Sequence, residues 1–189
     1  MGSKASLHLR EEEIEAIQQE TGFQSNQIIR LFSRFTCLDK EQNGFLTRDD
    51  FMRIPELAIN PLADRIVDAF FNGGEEHVNF RQFMRTLANF RPSSAKTAED
   101  SPNSRTNKLK FVFSLYDYDS DGMISKKELL QILKLLVGAN INQDQLSHIA
   151  ERTLLESDTN NDRHISFEEF KTVMARTEID TKMSVRFLD

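Results

Sequence analysis

The stretch Asp117-Tyr118-Asp119-Ser120-Asp121-Gly122-Met123-Ile124-Ser125-Lys126-Lys127-Glu128 decides how the rest of the chain is read. Oxygen-bearing side chains stand at its positions 1, 3, 5, 9 and 12, with Gly122 at position 6 and Ile124 at position 8. A hard divalent cation takes about six to eight oxygens at about 2.3–2.6 Å, and alternating carboxylates supply them as the chain winds round the ion. Gly122 permits the sharp bend, the Met123 carbonyl adds a backbone oxygen, and Glu128 closes the shell with two more. Leu109, Val112, Phe113 and Tyr116 fall on one face of the helix before the loop, and Leu129, Ile132, Leu133 and Leu136 on one face of the helix after it. This is a complete EF-hand unit.

The same template recurs in both directions along the chain. Asp158, Asn160, Asp162, Ser166 and Glu169 occupy the ligand positions of a second loop, with Ile165 at position 8 and the His164 carbonyl at position 7. Position 6 is Arg163, which must adopt positive φ at a backbone cost of roughly 1 kcal/mol. Calcium binding is expected to survive there, weakened. Upstream, Asp39 to Asp50 keeps Asp39, Asn43, Gly44 and Leu46 but ends on aspartate, one methylene shorter than glutamate. That loop is expected to be structural, with weak Ca²⁺ or Mg²⁺ binding as the alternative. In the remaining loop, Val78 at position 8 puts Phe71, Gly73, Glu75 and Gln82 at positions 1, 3, 5 and 12. No calcium shell can be built from them. Two Ca²⁺ per chain follow, and paired loops are expected to bridge through short β contacts at Leu46 and Val78 and at Ile124 and Ile165.

The expected fold is all-α: a two-lobed EF-hand protein of four helix–loop–helix units. An N-terminal arm and helix (1–25) precede the degenerate lobe (26–91). A linker rich in Pro, Ser, Thr and Asn (92–107), the calcium lobe (108–177) and a tail (178–189) follow. Composition agrees. The 189 residues include 15 Phe and no Trp, with only 7 Gly and 4 Pro. Such a chain favours helices over a turn-rich sheet. With 24 basic and 30 acidic residues the net charge is −6, which argues against nonspecific nucleic-acid binding. No apolar run approaches the roughly 20 residues of a membrane span. The single cysteine, Cys37, excludes an internal disulfide and fits a reducing, cytoplasmic compartment. It adjoins Leu38 at a helix end and is expected to be packed. The four histidines are scattered, and no nucleophile–base set or phosphate-cradling glycine loop exists, so no enzyme is read.

Longer runs carry a resemblance that the loops alone do not. MGSKAS, ETGF, RIPELAINPLADRI, VNFRQFMRTLANFRP, NSRTNKLKFVFSLYD and KMSVRFL together resemble the calcineurin B homologous proteins, most closely their type-1 branch, over nearly the whole chain. The linker departs most, being shorter. The resemblance implies four EF-hands of which the first two bind no calcium. It also implies a regulatory role: gripping the amphipathic juxtamembrane helix of a plasma-membrane Na⁺/H⁺ exchanger and supporting its activity, pH regulation and surface delivery. Inhibition of the calcineurin catalytic chain and association with vesicle and microtubule proteins are implied as well. A calcineurin B-like phosphatase subunit and a soluble calcium buffer are the alternatives.

Three further features bear on that role. Gly2 and Ser6 fit the N-myristoylation pattern, and the family is myristoylated. One acyl chain gives only marginal membrane affinity, about 10⁴ M⁻¹, so stable residence at the plasma membrane or endomembranes needs a protein partner. An amphipathic helix seats through anchors at i, i+3, i+4 and i+7. Phe32, Phe35, Phe70, Phe83, Phe90, Leu115, Leu136 and Phe170 are candidate groove walls, with closed core as the competing reading. Leu129 to Val137 resembles a nuclear export segment, which would permit nuclear shuttling, though packed helix is favoured. The tail residues Met183, Val185, Phe187 and Leu188 are too apolar for a solvated end, and are expected either to pack on the calcium lobe or to cover the groove.

Overall fold

A computed structural model describes residues 9–71, 74–93, 97–138 and 141–183, with only the backbone of residue 181. Among the described residues no helix is long and apolar enough to cross a membrane. The first half runs α1 (Glu11–Thr21), α2 (Ser25–Leu38), β1 (Phe45–Leu46), α3 (Arg48–Met52), α4 (Pro55–Ala58), α5 (Ala63–Asp68), β2 (Val78–Asn79) and α6 (Phe80–Ala88). The second runs α7 (Arg105–Tyr116), β3 (Met123–Ser125), α8 (Lys126–Val137), α9 (Gln143–Ser157), β4 (His164–Ser166), α10 (Phe167–Val173) and α11 (Ile179–Lys182). The chain is mostly helical, and among the described residues the strands form only two short antiparallel pairs. Leu46 stands opposite Val78, and Ile124 opposite Ile165, so the position-8 residues pair as the spacing predicts.

Local chemistry fixes where the helices begin. Asn79, Ser104, Ser125, Asn142 and Ser166 each accept a hydrogen bond from the backbone N–H three residues on, starting α6, α7, α8, α9 and α10. Gly22 ends α1 in the left-handed region at φ 69°. It is also crowded: a Cβ there would collide with Arg91 Nη1, which donates to the Thr21 carbonyl at 2.9 Å. The last residue of the first lobe, just before the linker, is thereby tied to the end of α1.

Two apolar cores result. In the first, α1 and α2 pack with α6 around Phe35, Phe51, Phe70 and Phe83, whose rings meet at 4.7–6.2 Å. In the second, Phe113 packs on Phe167 and Phe170 at 5.5 and 5.4 Å, with Ile124, Ile165 and Leu129 in the same buried cluster. Burying one such side chain is worth about 1.5–3 kcal/mol, so each lobe's stability rests mainly on these contacts.

The linker and tail are more built than their composition suggests. Asn103 and Ser104 are buried, Asn103 Nδ2 donates to the Pro92 carbonyl at 2.7 Å, and residues 105–107 already belong to α7. Lys108 is fully buried, its Nζ donating to Ser93 Oγ at 3.0 Å and to the Asp180 carbonyl at 3.3 Å. Arg105 adds an ion pair with Asp180 at 2.9 Å and donates to the Met174 and Thr177 carbonyls. The tail's first turn, α11, therefore packs against α7 with Ile179 in the second core and Met183 against it. That is the lobe-packing alternative for this part of the tail; Val185, Phe187 and Leu188 lie outside the described residues.

Candidate calcium loops

Backbone geometry makes the loops before any ion is considered. Position 4 is left-handed in all four loops, at Gln42, Gly74, Ser120 and Asn161. Position 6 is left-handed in three, at Gly44, Gly122 and Arg163. Arg163, at φ 65°, accepts the strain expected of a non-glycine residue there. Turning at positions 4 and 6 aims successive N–H groups inward. In the third loop Asp117 Oδ1 accepts from the Asp121 N–H at 3.1 Å and Oδ2 from the Gly122 N–H at 3.0 Å. In the fourth, Asp158 repeats this with Asp162 at 3.2 Å and Arg163 at 2.7 Å. The carboxylates are thus held by the loop's own backbone, their remaining lone pairs free to face a cation.

Position 12 separates the last two loops from the first two. Glu128 Oε2 accepts from Ser125 N and Oγ at 2.8 and 2.7 Å, while Oε1 reaches across the loop to the Tyr118 N–H at 2.6 Å. Glu169 does the same, taking Ser166 N and Oγ at 2.9 and 2.7 Å and the Thr159 N–H at 2.8 Å. Both bring a two-oxygen group over the loop from the helix that follows. Among the described residues, Asp117, Asp119 and Glu128 place carboxylate oxygens within 4.8 Å of one another. Asn160 at position 3 leaves the fourth loop one carboxylate poorer.

The electrostatics follow from this crowding. Burial pushes the Asp117 carboxyl above its ordinary range, and the nearby charges of Asp121 and Glu128 add to the rise. Burial also pushes Glu128 up, but donors from Ser125, Tyr118 and Asp119 outweigh it and hold the group below its ordinary range. Hydrogen bonds from the Ser166 backbone and hydroxyl lead in holding Glu169 at about 2. Clustered carboxylates of this kind are stabilised by a dication far more than by any monovalent ion.

The first two loops turn the same template to other ends. Asp50 keeps one oxygen on Thr47 N and Oγ, at 2.9 and 2.7 Å, and gives the other to Arg53 at 2.9 Å. A shorter side chain serves its own helix rather than reaching across the loop. In the second loop Phe71, at position 1, is buried in the core, and Gln82 Nε2 donates to Glu75 at 2.5 Å. Position 12 there is joined to position 5 by a hydrogen bond where a metal shell would otherwise stand. Gly73 at position 3 lies outside the described residues.

Placement of the other candidates corrects several expectations. Phe35, Phe70, Phe83, Leu115 and Phe170 are buried, so they do not form an open groove wall in this structure; ring-to-ring packing takes the phenylalanines out of water. Phe32 is half-buried against Phe80 at 4.9 Å, and Phe90 against Phe111 at 4.9 Å. Leu136 does not share the packed face of α8: it is 48% exposed, beside Leu135 at 43%, while Leu129 and Ile132 are buried. Cys37 is exposed rather than packed. His164 Nδ1 stays with the Asp162 carbonyl at 3.0 Å. Gly2 lies outside the described residues.

One contact was not legible in the sequence. Arg65, on α5 of the first lobe, donates to the carbonyls of Ser114, Leu115 and Asp117 at 2.6, 3.2 and 2.7 Å. It caps the end of α7 and holds the first residue of the third loop, with Tyr118 stacked under its guanidinium at 4.7 Å. Nothing in the spacing of RIPELAINPLADRI singles out this residue.

Comparison with known proteins agrees with the loop geometry. Residues 106–175 match the family model described as an EF-hand domain pair. The chain is 40% identical over 186 residues to the calcineurin B subunit of Naegleria gruberi, covering 98% of this chain and 99% of that protein. It is 40% identical over 188 residues to the type 1 calcineurin B subunit of Dictyostelium discoideum, covering 99% of each. Against the calcineurin B subunit of Candida glabrata the identity is 36%, over 92% of this chain and 94% of the relative.

Proposed function

The chain belongs to the calcineurin B family of calcium-binding EF-hand proteins, and from that premise we propose that it is a non-catalytic regulatory subunit that grips an amphipathic helix of a partner. Asp117, Asp119, Asp121, the Met123 carbonyl and Glu128 hold one Ca²⁺. Asp158, Asn160, Asp162, the His164 carbonyl and Glu169 hold the second. The observation carrying this is the position-12 contrast: Glu128 and Glu169 reach over their loops, while Asp50 and Gln82 are spent on Arg53 and Glu75. One lobe then depends on calcium and the other folds without it.

The partner in the first reading is the cytoplasmic juxtamembrane helix of a plasma-membrane Na⁺/H⁺ exchanger, whose activity, pH regulation and surface delivery the protein supports. The residue runs shared with the type-1 branch of the calcineurin B homologous proteins favour it, as do the two metal-free loops. Exposed Leu135, Leu136, Ile149, Leu155 and Val173 on α8 to α10 supply apolar surface for such a helix. The protein sits in the cytoplasm and at membranes, with an acyl chain on Gly2 adding a weak second anchor. In the second reading the partner is a calcineurin catalytic chain, favoured by the names and full-length coverage of the relatives. Pull-down from detergent-solubilised membranes separates the two. Recovery of the exchanger supports the first, recovery of the phosphatase chain the second, and recovery of neither from calcium-loaded bait refutes both.

A further inference from the structure

A cleft of about 650 Å³ opens between the lobes, and its charge runs against that of the molecule. Four cations line it, Arg48, Arg65, Arg85 and Lys110, against one carboxylate, Asp68, on a chain whose net charge is −6. Arg65 is spent on the α7 carbonyls. Arg48 pairs with Asp68, which Arg65 also approaches at 3.7 Å, and Arg85 shares Glu20 with Arg81, so four cations divide two carboxylates. Both pairs are substantially exposed, with side-chain exposures of 53 and 40% for Arg48–Asp68 and 56 and 29% for Arg85–Glu20. Such pairs are worth little and yield readily to another anion. Lys110 is exposed and makes no hydrogen bond or ion pair among the described residues.

The rest of the lining bears on what the anion is. Phe71 and Phe111 supply apolar wall, and Thr86, Asn89 and Asn107 supply polar groups from α6 to α7. The space far exceeds one phosphate group and falls in the range that holds a ligand of many atoms. Planar guanidinium forks suit carboxylates, and amide side chains suit a peptide backbone. We propose that this interlobe cleft is a docking site for an acidic, carboxylate-rich segment of a partner protein. It lies apart from the apolar surface of α8 to α10, and the proposal does not depend on the helix-gripping role.

The test uses full-length, calcium-loaded protein and fluorescently labelled hexaglutamate, followed by anisotropy at low ionic strength. Hexaglutamate should bind and neutral hexaglutamine should not. Lys110→Glu should weaken binding by about tenfold, because reversing a charge beside the bound carboxylates replaces attraction by repulsion. Lys134→Glu, the same charge change at an exposed position outside the cleft, should leave binding unchanged. Circular dichroism confirms that both variants fold; if Lys110→Glu does not, Lys110→Gln takes its place with a smaller expected loss. Equal weakening by the Lys110 and Lys134 variants would overturn the proposal, as would no binding to the wild type. Inorganic phosphate binding as tightly as hexaglutamate would make this a small-anion site, and phosphatidylserine vesicles binding in preference to the peptide would make it a membrane contact. Either result also overturns it.

Discussion

Replacing Arg65 with alanine should loosen the two lobes from one another and weaken the third loop together. Three bonds are lost, to the carbonyls of Ser114, Leu115 and Asp117. At about 0.5–1.5 kcal/mol net for each, they total about 1.5–4.5 kcal/mol. Water can replace the guanidinium at exposed Ser114, but Leu115 and Asp117 are buried and lose more. Stacking on the Tyr118 ring at 4.7 Å adds about 0.5–1 kcal/mol. A loss near 3 kcal/mol is therefore expected, which for a chain of this length lowers the melting midpoint by about 6–12 °C. Urea titrations of wild type, Arg65→Ala and Arg65→Lys, each with and without calcium, provide the assay. Lysine brings a single ammonium in place of a planar fork and should recover no more than about a third of the loss. Calcium affinity at the third loop should fall in parallel, since the Asp117 main chain is no longer held. If Arg65→Ala unfolds within about 0.5 kcal/mol of wild type, the contact is a surface incident and the lobes are not coupled through it.

Calorimetry should find two Ca²⁺ per chain, falling to one in either Glu128→Gln or Glu169→Gln, because each variant loses the charge and the second oxygen that close a shell. Four comparable sites would refute the reading of the first two loops. Asp50→Glu should give the first loop measurable calcium affinity by supplying the missing methylene, and no third site would show that Glu41 or Asn43 is the true defect. Glu20 is held at about 2 by hydrogen bonds from Arg81 and then Arg85. A depressed carboxyl contributes stability above its unfolded value, so the tie between α1 and α6 should be lost as pH falls from about 4.5 towards about 2. An NMR titration placing Glu20 at its ordinary value would contradict this.

The loops and helix faces were legible because they obey short-range rules. Ligand alternation fixes the loop, position 8 fixes the β pair, and apolar spacing fixes which side of each helix is buried. Even Arg163 announced its positive φ, because the loop path allows nothing else. Long-range polar contacts announce nothing. Arg65 lies about fifty residues from the carbonyls it caps, and Lys108 reaches Asp180 across the whole second lobe. The linker misled for a related reason: Pro, Ser and Asn suggest a solvated tether, yet Asn103 and Ser104 are buried by hydrogen bonds that composition does not encode. The groove residues failed differently. Helical spacing marks a side chain as apolar-facing but does not say whether it faces its own lobe or a partner, and Phe35, Phe70, Phe83 and Phe170 face their own.

On the proposed reading the first lobe keeps two loops without a metal, and what those loops still do gives the reason. The β1–β2 pair joins Leu46 to Val78, and both side chains are fully buried in the first core. Deleting a loop would remove that bridge and expose the phenylalanines packed beneath it. Replacing metal ligands disturbs far less. The Gln82–Glu75 contact joins two loop positions that a cation would otherwise hold together, and Arg53 supplies the positive charge beside Asp50, both through bonds available at any calcium concentration. The first lobe can then stay folded when calcium is low, while the second loses the charge compensation that its clustered carboxylates need. Arg65 connects the two lobes, because it stands on α5 of the first and its bonds end on the opening residue of the third loop. A calcium-dependent change in the third loop therefore has a direct mechanical route to α5, and through it to the walls of the interlobe cleft.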